Sequence, residues 1–116
     1  MNFTGNEGGP ISRETAKQWI ENYESSESAK APEKSIIKAH FFGREKIQKL
    51  LDQEGCVGLR VYYGKDSSGV QKLFMVGANS NMDNLIPEDT KSATTEENII
   101  LDDSWDCPPY CPNNGF

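Results

Sequence analysis

The sequence lacks the features of a membrane or exported protein. None of its apolar runs approaches the ~20 residues that a membrane-spanning helix requires. Its start, MNFTGNEGGP, has neither the basic residues nor the apolar run of a signal peptide. We therefore expect a cytoplasmic protein that does not bind membranes.

Motifs of the common enzyme classes are missing as well. The chain contains no G-x-S-x-G, Walker, G-x-G-x-x-G or H-E-x-x-H sequence. Its single histidine, His40, would have to perform any histidine-dependent acid–base chemistry. Alternation along its predicted strand favours a surface or half-buried position for His40, with Phe41 facing the core. The sequence leaves enzymatic activity undecided but favours a protein without it, and it indicates no catalytic or cofactor-binding residue.

Cysteine is scarce, and its odd number, three, excludes a complete set of disulfides within one chain. Cys107 and Cys111 enclose the C-terminal sequence Cys-Pro-Pro-Tyr-Cys, for which three interpretations stay open. The first is a local disulfide that closes a small ring. The second is a redox-active pair, which needs a stabilised thiolate. The aspartates just before the pair disfavour a thiolate through their negative charge.

The third interpretation is a metal site. Cys107 and Cys111 together with Cys56 and His40 would form a Cys₃His set, a known composition of structural zinc sites. Only the Cys107/Cys111 pair has the usual spacing of zinc ligands, because Cys56 and His40 lie in different predicted elements. The sequence thus predicts no cofactor, and zinc is the possibility that it leaves open. The alternative for Cys56 is a small buried residue at the start of a strand.

Positive charge is scarce in the last third of the chain. Residues 81–116 contain eight acids and one base, a net charge of −7, whereas the whole chain has a net charge of −6. Negative charge repels nucleic-acid phosphates and anionic membrane surfaces. We therefore expect neither nucleic acid nor a membrane as a partner.

Apolar residues at helical spacing predict two helices. The first is expected over residues 13–24 with Ser12 as its N-cap, and its inward stripe consists of Ala16, Trp19, Ile20 and Tyr23. Residues 24–34, rich in Ser, Glu, Lys and Pro, are expected to form a loop. The second helix is expected over residues 44–53.

A β-hairpin is the clearest prediction of the sequence. Two apolar runs, residues 57–63 and 70–78, flank the turn-forming residues 65–69. A strand over residues 36–42 would lie parallel to the first hairpin strand through a right-handed crossover. Residues 98–101 would add a short edge strand. The predicted fold class is α+β, with two helices on one face of a small mixed sheet of three to four strands built around the hairpin.

The same patterns predict the domain organisation. Residues 1–10 are expected to be disordered, residues 11–101 to form one domain, and residues 102–116 to form an acidic tail containing Cys and Pro. Arg60, which points inward in the hairpin, requires an acceptor. Asp102 or Asp103 would supply a carboxylate and dock the tail across the sheet.

Three stretches carry a resemblance to known proteins. They are KAHFFGRE at residues 38–45, EGCVGLRVYYG at residues 54–64, and CPPYC at residues 107–111. In this order they resemble an uncharacterised family of small bacterial proteins with a C-terminal C-P-P-x-C motif. The resemblance covers roughly residues 11–112 and implies a common domain, with no activity, ligand or catalytic residue attached to it.

The function that the sequence favours is non-enzymatic protein binding. The tail combines negative charge with Trp105, Tyr110 and Phe116, and aromatic residues are enriched at protein interfaces. The expected partner is another protein or a second copy of this chain. The alternatives are a zinc-type metal-binding domain that uses the C-terminal cysteines, and a thiol–disulfide oxidoreductase.

Overall fold

The computed structural model describes residues 1–30, 36–87 and 98–115. In chain order its elements are α1 (Arg13–Lys30), β1 (Ala39–Phe41), α2 (Arg44–Leu51), β2 (Cys56–Lys65), β3 (Gln71–Asn79), β4 (Asn84–Leu85), β5 (Ile100–Leu101) and β6 (Trp105–Cys107). They belong to two compact units. The hairpin unit consists of Met1–Glu7 and Phe42–Ser104, and the tail unit of Gly8–Phe41 and Trp105–Phe116. The predicted α+β class is confirmed.

The predicted hairpin forms the centre of the hairpin unit. Strands β2 and β3 pair antiparallel along their whole length, from Cys56 opposite Asn79 to Lys65 opposite Gln71. Asp66 shapes the turn, because its carboxylate accepts hydrogen bonds from the backbone N–H groups of Val70 and Ser68, each at 2.9 Å. These hydrogen bonds, that from Val70 first, hold the pKa of Asp66 below its usual range.

Two short strands share the other edge of β3. Strand β4 pairs with Gly77 and Ala78, and β5 pairs with Met75 and Val76, all in antiparallel register. The predicted edge strand within residues 98–101 is therefore confirmed. Every strand pairing in the described residues is antiparallel.

Helix α2 packs against β2, β3 and β5. Leu50 is fully buried, and the side chain of Gln53 joins the end of the helix to the chain that leads into β5. Its Nε2 donates to the carbonyl of Leu50 at 3.0 Å, while its Oε1 accepts from the N–H of Ile99 at 2.9 Å. The core of this unit consists of Leu50, Val76, Ala78 and Leu101.

Helix α1, in the tail unit, is longer than predicted. Ser12 caps it as expected, since its Oγ accepts the N–H of Thr15 at 3.0 Å. The helix continues to Lys30, so the predicted loop is wrong for residues 24–30, while residues 31–35 lie outside the described residues. Glu, Ala and Lys in this stretch are good helix formers, and none of its residues is Gly or Pro. The predicted inward stripe is wrong at Trp19, which is 59% exposed.

Strand β1 pairs with β6 and not with the hairpin. The two strands form a separate antiparallel ribbon, in which Ala39 lies opposite Cys107 and Phe41 lies opposite Trp105. The predicted parallel pairing of residues 36–42 with β2 is therefore wrong. A further hydrogen bond, from the N–H of Lys38 to the carbonyl of Cys107 at 2.9 Å, extends the ribbon by one residue.

The N-terminal segment has specific contacts in the hairpin unit. The N–H of Phe3 donates to the carbonyl of Ser80 at 2.9 Å, and the ring of Phe3 lies 5.3 Å from the guanidinium carbon of Arg60. The predicted division into residues 1–10, 11–101 and 102–116 stays a prediction. Within residues 1–30, 36–87 and 98–115, no helix combines the length and the apolar character needed to cross a membrane.

Candidate functional site

The β1–β6 ribbon presents two aromatic side chains to solvent. Phe41 and Trp105 lie directly opposite each other, so their side chains project from the same face of the ribbon. They are 65% and 60% exposed. The sequence pattern had placed Phe41 toward the core, and this prediction is wrong because its strand pairs with a different partner.

Tyr110 adds a third exposed aromatic side chain. Its ring lies 4.8 Å from that of Trp105 at an interplanar angle of 39°, and the residue is 58% exposed. Its backbone N–H donates to the carbonyl of Asp106 at 2.9 Å, which turns the chain back toward β6. We call Phe41, Trp105 and Tyr110 the aromatic cluster. Trp105 and Tyr110, two of the three aromatic residues that the sequence places in the tail, are thus both exposed, whereas Phe116 lies outside the described residues.

A disulfide closes the loop that contains Tyr110. Cys107 is bonded to Cys111, with their Cα atoms 4.7 Å apart. Of the three interpretations of this pair, the local disulfide is the one that the structure shows. The two cysteines differ in environment, since Cys107 is 2% exposed and Cys111 is on the surface.

The opposite face of the ribbon holds His40 and Asp106. Nδ1 of His40 lies 2.9 Å from Oδ1 of Asp106, and the histidine side chain is 6% exposed. The two residues are register partners, so this contact ties β1 to β6 below the aromatic face. A histidine held in this way acts as a structural link between the strands.

Two contacts join α1 to the two residues just before β1. Nζ of Lys38 lies 3.1 Å from a carboxylate oxygen of Glu24, and the hydroxyl of Tyr23 donates to the carbonyl of Ile37 at 3.1 Å. Tyr23 and Glu24 lie in the interior of α1 and not at its end, because the helix continues to Lys30. These two contacts support the ribbon on the side of β1.

The four predicted metal ligands do not form a cluster in the residues that the structure describes. Cys107 and Cys111 are joined to each other, and Nδ1 of His40 faces Asp106. Cys56 belongs to the hairpin unit, where its thiol donates to the carbonyl of Gly58 at 3.2 Å. No group of three or more His, Cys, Asp or Glu side chains in the described residues is arranged to hold a metal ion. The predicted zinc site stays a prediction.

Arg60 has different partners from those predicted. Its Nη1 donates to Oδ1 of Asn84 at 2.5 Å and to the carbonyl of Met82 at 3.2 Å, so the predicted contact with Asp102 or Asp103 is wrong. A side-chain amide and a backbone carbonyl satisfy the guanidinium without a carboxylate. Nδ2 of Asn84 in turn donates to the hydroxyl oxygen of Tyr62 at 2.6 Å.

This network belongs to the framework of the sheet. Tyr62 stacks on Phe74 across β2 and β3, with ring centroids 5.2 Å apart. Together with the contact between Arg60 and Phe3, it covers one face of the hairpin. These residues are therefore engaged in contacts within the hairpin unit.

Comparison with protein-family models, with curated proteins and with solved structures finds no match to this chain.

Proposed function

We propose that this protein is a small, non-enzymatic binding domain whose aromatic cluster holds a short segment of a partner protein. The exposure of Phe41, Trp105 and Tyr110 beside one another is the observation that carries the proposal. Exposed apolar patches mark interaction surfaces, and Trp and Tyr are enriched among the residues that dominate binding energy.

The size of the cluster favours a short segment over a large partner surface. A fully buried aromatic side chain removes about 150–250 Å² from water. Three side chains that are each about 60% exposed therefore offer roughly 270–450 Å². A stable complex between globular proteins, or between two copies of this chain, buries about 800 Å² on each partner. The cluster by itself is too small for such a complex.

The ribbon holds the cluster in place before any partner binds. The disulfide and the hydrogen bond from Tyr110 to Asp106 restrict the loop, and the contact between His40 and Asp106 restricts the strands. A preorganised surface loses less conformational entropy on binding. A small apolar area can therefore bind a peptide in this setting.

Charge indicates the chemistry of the segment. The chain has a net charge of −6, so long-range attraction favours a positively charged partner. A Lys or Arg side chain can also lie over the exposed face of Trp105. We propose a segment in which apolar or proline residues contact the cluster and basic residues flank them.

A peptide selection tests the proposal. Random dodecapeptides displayed on phage are selected on the oxidised protein, and enriched peptides are synthesised and titrated against variants by calorimetry. Trp105→Ala should weaken binding at least tenfold, because it removes the central side chain of the cluster. Trp19→Ala is the matched control, since Trp19 is equally exposed on α1 and lies outside the cluster. Equal affinity of Trp105→Ala and wild type, or a selection without enriched peptides, would contradict the proposal.

Sedimentation equilibrium tests a second copy as the partner. We expect a monomer at micromolar concentration, given the small area of the cluster. If the wild type is a dimer and Trp105→Ala is a monomer, the partner of the cluster is a second copy of the chain and not a peptide.

Four further expectations stay predictions. They are zinc binding, thiol–disulfide oxidoreductase activity, the cytoplasmic location and the resemblance to the bacterial C-P-P-x-C family.

A further inference from the structure

We infer that the Cys107–Cys111 disulfide is a reversible redox switch of the aromatic cluster, opened by a dithiol that attacks Sγ of Cys111. Opening it releases Tyr110 from Trp105 and leaves the β1–β6 ribbon in place. The release of Tyr110 is inferred from the tail unit alone. Its effect on peptide binding rests on the proposed function.

The unequal burial of the two cysteines selects the sulfur that is attacked. Thiol–disulfide exchange proceeds by attack of a thiolate on one sulfur, and its rate depends on access to that sulfur. Cys107 is 2% exposed and is the last residue of β6, whereas Cys111 lies on the surface. An incoming thiolate therefore reaches Cys111, and Cys107 is the leaving group.

One molecule of dithiol is enough to reduce the disulfide to two thiols. Its first thiolate forms a bond to Sγ of Cys111 while the bond between Cys111 and Cys107 breaks, and Cys107 leaves as a thiolate that takes a proton from water. The second thiol of the reagent loses its proton and attacks the reagent's own sulfur in the mixed disulfide, which releases Cys111 as a thiolate that is protonated in turn. The dithiol is oxidised by two electrons and the protein gains two thiols.

Opening the ring affects Tyr110 differently from the other two residues of the cluster. Tyr110 lies inside the ring, where its side chain contacts the ring of Trp105 and its backbone N–H donates to the carbonyl of Asp106. Trp105 precedes the ring and is held in β6 by its pairing with Phe41. Reduction should therefore separate Tyr110 from Trp105 while Phe41 and Trp105 stay opposite each other.

Exchange with a monothiol identifies the attacked sulfur. The oxidised Cys56→Ser variant, which lacks the third thiol, is treated with glutathione, quenched with acid and N-ethylmaleimide, and sequenced by tandem mass spectrometry. We expect glutathione on Cys111 and maleimide on Cys107. Glutathione mainly on Cys107, or no exchange in the folded protein, would overturn the inference.

A spectroscopic measurement tests the release of Tyr110. In a Trp19→Phe, Cys56→Ser background, Trp105 is the single tryptophan, and its near-ultraviolet circular dichroism reports the ring stacked on it. Dithiothreitol should remove most of this signal, and reoxidation by excess oxidised glutathione, which is itself reduced to two molecules of glutathione, should restore it. The Cys107→Ser/Cys111→Ser double variant should show the reduced spectrum with and without dithiothreitol. An unchanged spectrum on reduction would overturn the release of Tyr110.

Measurements of peptide binding distinguish a failure of the redox switch from a failure of the proposed function. Selected peptides should bind the oxidised protein roughly tenfold more tightly than the reduced protein, because one of three contact residues is displaced. Equal affinity in both states would overturn the regulation and leave the proposed function standing. If the selection enriches no peptide, the proposed function fails, while the exchange and the spectrum still decide whether the disulfide is a switch.

Discussion

Gly77 has little room for a side chain. It lies in β3 against the end of α2, and a Cβ atom there would be 2.6 Å from Nε2 of Gln53 and 2.9 Å from Sγ of Cys56. Gln53 cannot move without losing its hydrogen bonds to Leu50 and Ile99. The close approach of the helix end to the sheet therefore requires glycine at this position.

Gly77→Ala should lower the free energy of unfolding by about 1–3 kcal/mol, the usual range for overpacking a tightly packed site. Urea denaturation followed by circular dichroism measures the change. Gly64→Ala is the matched control in β2, because a Cβ there would be in ordinary contact with the ring of Phe74 at 3.7 Å. Equal denaturation midpoints for the two variants would show that the helix end adjusts to the added methyl group.

At the scale of the elements, the hairpin turn depends on an ionised carboxylate. Hydrogen bonds from Val70 and Ser68 keep the pKa of Asp66 below its ordinary value of about 3.9. A carboxyl group with a lowered pKa in the folded state stabilises that state above its unfolded-state pKa. The contribution is lost as the pH falls through the lower, folded-state value.

Asp66→Asn should therefore have a lower melting temperature than wild type at pH 7, and the two should converge below pH ~4 as the wild-type carboxylate is protonated. Thermal denaturation of both proteins in parallel from pH 7 to pH 2.5 measures the difference. Equal melting temperatures of the two proteins at every pH would show that the side-chain oxygen, which Asn retains, and not its charge, orders the turn.

The hairpin could be predicted because its signals are local. Apolar runs flank Asp66 and Gly69, and Gly69 adopts φ +83°, a left-handed conformation that favours glycine. The position of Ser12 likewise predicts a helix cap, and the structure confirms it. Local sequence determines turns and caps directly.

The partner of β1 could not be predicted, because pairing between distant segments has no local signal. Strand β6 contains three residues, Trp-Asp-Cys, followed by Pro108 and Pro109, and this composition does not indicate a strand. Without β6, the alternation around His40 predicts the wrong face for Phe41. The aromatic cluster was therefore visible in the sequence only through Trp105 and Tyr110.

At the scale of the whole molecule, the chain contributes two segments to each unit. The segments of the tail unit, Gly8–Phe41 and Trp105–Phe116, are distant in sequence. The register of β1 with β6 and the contact between His40 and Asp106 join them, whereas the disulfide lies within the second segment. The disulfide therefore constrains the loop and not the connection between the segments.

Amide hydrogen exchange by NMR tests this division of roles. In the chain-entropy treatment, a five-residue ring contributes about 2 kcal/mol, so reduction should accelerate exchange at the ring amides by up to roughly 30-fold. The reporters are the N–H groups of Tyr110 and Cys111, which donate to Asp106 and Pro109. The N–H of Lys38, which donates to Cys107 in the ribbon, should stay protected.

The hairpin unit provides the internal control for the same experiment. Its amides, such as that of Val61 in β2, should exchange at the same rate in both redox states. Cys56→Ser is used throughout, so that dithiothreitol acts on the disulfide alone. If reduction accelerates amide exchange at Lys38 as much as at Tyr110, the disulfide also supports the strand pairing. The ribbon would then not survive the opening of the ring.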